Sequence, residues 1–298
     1  MVMAGFFGIV LGSCAAHQPD ATSKKTILVT YSILGSIVRD LVGDHFTVVV
    51  SLPNGLDPHE WSPSAKDMEA LNHASLIVQN GLHLEGGMQR SLGRAQSGGV
   101  PLFTASDYIP VRTVKAGQGL PTDDPDQQTG AEDPHLWMSP ENMKAIELAL
   151  AAELDKRFGV DLSARAQDLA ARLDALNTEV KDEMAAIPAQ NRVLVTGHES
   201  MGYFADAYGL TLVGAIIPSL TDQAEVSAAD LARLKQQIQA HPVPVIFSEI
   251  GTPPKVAHAL ASELKLKVVP LTTHALLPDS SYFTFLRTVA SAVAGALK

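Results

Sequence analysis

The sequence predicts an α/β protein of two lobes, each a mostly parallel sheet with flanking helices, joined by one long helix. Three observations carry that expectation. Short β-branched runs alternate with helical spacing over residues 25–106, the same rhythm returns after residue 192, and the longest periodic segment of the chain lies between. Alternating strand and helix argues for parallel sheets, because a parallel pair needs a crossover and a helix is the usual one.

In the first lobe, strands are expected in KTILVTYS (25–32), FTVVVSL (46–52), ASLIVQN (74–80) and VPLFTAS (100–106), each bounded by Gly, Pro or Asn. ILGSIVRDLVG has helical spacing at Ile33, Ile37, Val38 and Leu41, with Gly43 as its stop. Residues 107–133 lose the pattern and read as an exposed loop. A helix from Pro140 follows, with Ser139 as N-cap and Gly159 as its close. From Leu162 to Ile187, Leu169, Leu173, Leu176, Val180, Met184 and Ile187 recur at spacings of three and four, an apolar stripe ended by Pro188. Strands are then expected in RVLVTG (192–197), LTLVGAI (210–216), VPVIFSEI (243–250) and LKVVPLTT (266–273), with a helix capped by Ser227 among them. The chain thus divides into residues 1–24, a first lobe 25–160, a connecting helix 161–188 and a second lobe 189–298.

Composition narrows the function. The 298 residues are 46% hydrophobic, enough for sizeable cores, and the formal net charge is −10. With no basic cluster interleaved with aromatics, nucleic acid is not expected as a partner. The single cysteine, Cys14, follows the apolar run MVMAGFFGIVLGS, which is too short to span a bilayer and reads as an export signal. Leu11-Gly12-Ser13-Cys14 resembles a bacterial lipobox, so Cys14 is the expected lipid anchor and AAHQPDATSKK its tether. No Lys or Arg precedes the run.

Of ten histidines, seven need no special role: His17, His45, His73, His83, His241, His258 and His274 are read as solvated or packed. The other three differ. Asp-Pro-His occurs twice, at His59 and His135, each time followed two residues later by one of the chain's two tryptophans. The Asp is placed to accept from a ring or backbone N–H, and such support orients an imidazole that binds metal. His198 follows RVLVTG at the carboxyl end of its strand, where open α/β sheets put their ligands, and Glu249 ends VIFSEI in the same way. Three neutral imidazoles with a carboxylate suit tetrahedral Zn²⁺, and Asp279 is the fourth candidate. VTGHESMG also approaches a serine-hydrolase elbow at Ser200, but His198 stands where Gly-x-Ser-x-Gly needs glycine.

GLDPHEWSPSAKDMEAL, EDPHLWMSPENM and VTGHESMGYFADAYGL together resemble the zinc- and manganese-binding solute-binding proteins of bacterial ABC importers, over about residues 25–298. The resemblance implies two lobes on a rigid helix, metal in the cleft between them, and His59, His135, His198 and Asp279 as its ligands. It implies delivery to an inner-membrane ABC permease, with a zinc metallochaperone as a further partner, from a monomer in the periplasm or at the outer face of the cytoplasmic membrane. Zinc members have His at the third position and manganese members Glu, which favours zinc here over Mn²⁺. Two departures stand out. Ser280 separates Asp279 from the Ser281-Tyr282 pair, leaving a water as the alternative fourth ligand. The stretch 115–133 has no histidine; it carries Asp123, Asp124, Asp126, Glu132 and Asp133, read as a solvated loop. Solute binding, not catalysis, is the expected activity. Affinity is expected to fall as pH drops through the ordinary histidine range, between 7 and 5. The rivals are a zinc hydrolase with Glu60 or Glu199 as base, and a surface adhesin with a structural metal.

Overall fold

The computed structural model describes residues 24–114, 128–222, 224–278 and 281–298. The expected leader, Cys14, most of the acidic stretch and Asp279 lie outside the described residues.

The first sheet is parallel throughout. Strands β1 (Thr26–Val29), β2 (Thr47–Val50), β3 (Leu76–Gln79) and β4 (Leu102–Thr104) lie in the order β2-β1-β3-β4, with Ile27 opposite both Val48 and Leu76. Alternate residues of β1 and β3 serve opposite faces. Ile27, Val29 and Val78 join the core under α1 (Ser32–Val42), while Leu28 and Ile77 meet Leu71 of α2 (Ala65–His73) and Leu92 of α3 (Gln89–Ser97). Burial on both faces is why these strands read as unbroken apolar runs.

The second lobe is also parallel, but its strands form two two-stranded sheets where the first lobe has one sheet of four. Parallel pairs β5 (Val193–Thr196) with β6 (Thr211–Ala215), and β7 (Val245–Ser248) with β8 (Lys267–Pro270), are brought together by contact of β5 with β7. Val195 and Ile246 pack on Leu234 and Ile238 of α7 (Ala228–Ala240) and Leu260 of α8 (Pro254–Leu264). Leu194, Val245 and Phe247 face the opposite way, into the same core as Ile27 and Val29.

Three helices make that shared core continuous. The Ser139 hydroxyl caps α4 (Pro140–Phe158) by accepting from the Asn142 N–H, and Gly159 closes it at φ 66°, a left-handed turn that glycine adopts without strain. The long helix α5 (Ser163–Ala185) buries Leu169, Leu173, Leu176, Val180 and Met184, and packs along α4 and α9 (Tyr282–Leu297). Ile187, expected on the same stripe, lies just past the helix end and is buried in the same core. Burying each such side chain stabilises by roughly 1.5–3 kcal/mol, so an Asp at Leu176 would unseat the whole stripe. A 23-residue helix is roughly 35 Å long at about 1.5 Å per residue, enough to run past both lobes.

Candidate metal centre

All strands of each lobe are parallel to their partners, so their carboxyl ends gather at one edge, and the segments leaving those ends carry the site. His59 comes from the loop after β2, His135 from the turn before α4, His198 from the end of β5 and His274 from the segment after β8. One nitrogen from each lies within 4.8 Å of those of the other three, and all four residues are buried. The sequence reading brought three of these together with Asp279, which is outside the described residues. It passed over His274 as solvated or packed; the residue is packed at 2% exposure, and its ring sits 4.9 Å from that of His198 and 5.3 Å from that of His135, centroid to centroid, which brings it into the cluster. A signal existed, since His274 follows LKVVPLTT at a strand end as His198 follows RVLVTG.

The repeated Asp-Pro-His proves to be a repeated turn. Asp57 Oδ1 accepts from the His59 backbone N–H at 2.8 Å, and Asp133 Oδ1 from that of His135 at 3.0 Å. Each is the short-range bond by which Asp bends the chain over two residues. Asp133 Oδ1 also reaches the ring, accepting from His135 Nδ1 at 2.8 Å. That bond places the proton on Nδ1 and leaves the Nε2 lone pair facing the centre. Asp133 is held in turn by Arg112 Nη1 at 3.2 Å, whose Nε donates to Asp206 at 3.1 Å. Behind His135, the Asn80 side chain donates to the Pro134 carbonyl at 2.9 Å, and buried Glu85 accepts from Thr30 and from the Asn80 backbone.

Glu249 does for the second lobe what Asp133 does for the first. Its Oε2 accepts from the Ser200 hydroxyl and from Thr273 Oγ1 at 2.6 Å, and its Oε1 from the Gly197 N–H at 3.2 Å. A hydroxyl that donates to Glu249 has only lone pairs left, so Thr273 Oγ1 accepts from His274 Nδ1 at 2.8 Å. His274 Nε2 is then the free acceptor, with no hydrogen-bond partner among the described residues. Glu249 Oε2 also lies 3.8 Å from His198 Nδ1. Ser200, the would-be nucleophile, is therefore a donor to the carboxylate that organises the site.

Electrostatics keep the imidazoles neutral. Burial, reinforced by repulsion from His198, lowers His59 to about 4; burial likewise lowers His198 to about 4, against the pull of Asp57 and Asp133. His135 and His274 are driven well below the usual histidine value by burial and by the neighbouring rings. Burial raises Asp133 to about 6 despite Arg112, and raises Glu249 to about 7 despite its hydrogen bonds. Four neutral nitrogen donors at neutral pH, backed by two carboxyl groups, could hold a divalent cation. His135 Nε2 lies 3.3 Å from His59 Nε2 and 3.2 Å from His198 Nε2. The edge of a tetrahedron around Zn²⁺ with bonds of about 2.0–2.1 Å is about 3.3 Å.

The chain has recognisable relatives. The family model described as zinc-uptake complex component A, periplasmic, matches residues 27–296. The zinc-binding protein TroA of Treponema pallidum is 29% identical over 251 residues, 83% of this chain and 77% of that protein. The manganese ABC transporter substrate-binding lipoprotein PsaA of Streptococcus anginosus is 29% identical over 259 residues, 81% of this chain and 78% of its own. The solved structure of the periplasmic zinc-binding protein TroA from Treponema pallidum matches with a TM-score of 0.79 at 25% identity, covering 92% of this chain and 99% of that one. A manganese-bound periplasmic metal-binding protein of Candidatus Liberibacter asiaticus shares the fold, with a TM-score of 0.78 at 22% identity over 92% of this chain and 100% of its own.

Proposed function

The chain belongs to the family of periplasmic zinc-uptake components, and from that premise we propose that it captures Zn²⁺ between its lobes and delivers it to an ABC-type membrane permease. Residues 25–160 and 189–298 are the two lobes in this reading and 161–188 the link. His59, His135, His198 and His274 supply the four nitrogens. His274 takes the place that the sequence reading assigned to Asp279, and titration of Asp279→Ala beside His274→Ala separates the two.

The observation that carries the proposal is the spacing of Nε2 atoms at 3.2–3.3 Å around His135, the edge length of a tetrahedral zinc site. Donor chemistry favours zinc over Mn²⁺. Imidazole suits zinc, whereas manganese prefers carboxylates, and here the carboxyl groups of Asp133 and Glu249 serve the rings instead. Relatives named for zinc and for manganese both occur, so the donor set and not the kinship supports the choice. Four imidazoles also close the shell, whereas a hydrolytic zinc keeps a position for water. Export and anchoring through Cys14 complete the reading.

The test is a zinc titration of the metal-stripped protein against a competing chelator, with manganese as a second arm and His198→Ala as control. One tight zinc equivalent, lost in the variant, is expected. Tighter manganese than zinc would overturn the choice of metal, and tight zinc unaffected by His198→Ala would overturn the site.

A further inference from the structure

We propose that Asn54 is a latch that sets how fast the bound ion leaves, an inference that rests on the zinc-capture reading above. Residues 273–278, between β8 and α9, carry His274. Side chains from the first lobe, Trp137 and Asn54, hold this segment on either side of His274. Before it, Trp137 Nε1 donates to the Thr273 carbonyl at 2.8 Å. After it, Asn54 engages both polar groups of one backbone residue: Nδ2 donates to the Leu276 carbonyl at 2.7 Å, and Oδ1 accepts from the Leu276 N–H at 2.8 Å. Ser32 Oγ donates to the same Oδ1 at 2.9 Å, which fixes the way the amide faces. The side chain thus pairs with Leu276 as a neighbouring strand would.

The two ties differ in exposure. Trp137 is fully buried, so water does not compete for its bond. The Asn54 bonds are exposed, so water replaces them readily and the segment peels from the Leu276 end. Peeling carries His274 with it and opens the four-nitrogen shell. Asn54 touches none of the donor nitrogens and does not titrate. It is a positioning residue acting through His274, and its signature is the rate of release.

The experiment measures zinc release into excess chromogenic chelator by stopped flow, for the parent, Asn54→Ala and Asn54→Asp. Loss of two exposed bonds is expected to speed release about tenfold in Asn54→Ala, with association changed less than about twofold. Asn54→Asp keeps the shape and the acceptor but sets an oxygen against the Leu276 carbonyl, so it should release at least as fast as the Ala variant. Cobalt-loaded Asn54→Ala should keep the parent's visible spectrum, because the equilibrium shell is unchanged. Release within about twofold of the parent in both variants overturns the latch. So does a fall in metal-free Tm that matches the faster release, or an Asp variant that behaves as the parent. Failure of the parent itself to bind zinc overturns the zinc reading, and the latch with it.

Discussion

His135 is the residue on which the centre turns, because its Nε2 is the common neighbour of two others and its Nδ1 is spoken for by Asp133. Asp133→Asn keeps the shape and removes the charge that fixes the tautomer. Changes to such supporting groups commonly cost about 10–100-fold in metal affinity, and that is the loss expected in a chelator-competition titration. His274→Ala should cost at least as much, since it removes a donor outright, whereas substitution of exposed His73 should change nothing. The contrast among histidines also shows what the sequence could reveal. His59 and His135 were legible because a covalent pattern, Asp-Pro-His, writes its turn into consecutive letters. His274 has no local turn signature: its tautomer is set through Thr273 by Glu249, 24 residues upstream of Thr273, a relation made only by the fold.

Elements deliver these residues by backbone constraint as much as by side chain. Helix α6 (Gly202–Tyr208) begins at a glycine because a Cβ there would lie 2.5 Å from the Arg112 guanidinium and 2.5 Å from Asp133 Oδ2. Gly202→Ala must therefore push Arg112 and Asp133 away, and the His135 ring moves with its support. Overpacking of this kind costs about 1–3 kcal/mol, so a lowered Tm together with weakened zinc binding is expected. A melt unchanged from the parent would mean that the pair yields freely. At this scale the sequence was most legible. All eight expected strands form within their anticipated spans, and Ser139, Gly159 and Ser227 cap as their chemistry dictates. Strand ends were set one to three residues too wide, because apolar runs continue into loops that are themselves buried, as at Leu52 and Leu271.

The whole molecule contributes burial, and burial decides how the site answers to pH. Four exposed imidazoles with pKa about 6.5 would each be about 90% protonated at pH 5.5, and displacing four protons would weaken binding about five-thousandfold between pH 7 and 5.5. The sequence alone led us to expect a fall in affinity through the ordinary histidine range, and the fold revises it. With His59 and His198 lowered to about 4 and the other two well below the usual value, the rings are neutral throughout that interval and offer no proton to displace. The groups that do titrate there are carboxyls. Glu249 at about 7 and Asp133 at about 6 take up protons as pH falls, and both must be ionised to support the rings around a cation. Together they weaken binding by at most about a hundredfold between pH 7 and 5.5, and the steep loss begins only as pH falls toward about 4. Titrations at pH 7, 5.5 and 4.5 separate the two outcomes, since a loss of about five-thousandfold by pH 5.5 would mean that the rings are open to solvent before metal arrives. Glu249→Gln sharpens the result: it should bind more weakly at pH 7, yet with a shallower slope down to 5.5, because the group that gains the proton is gone.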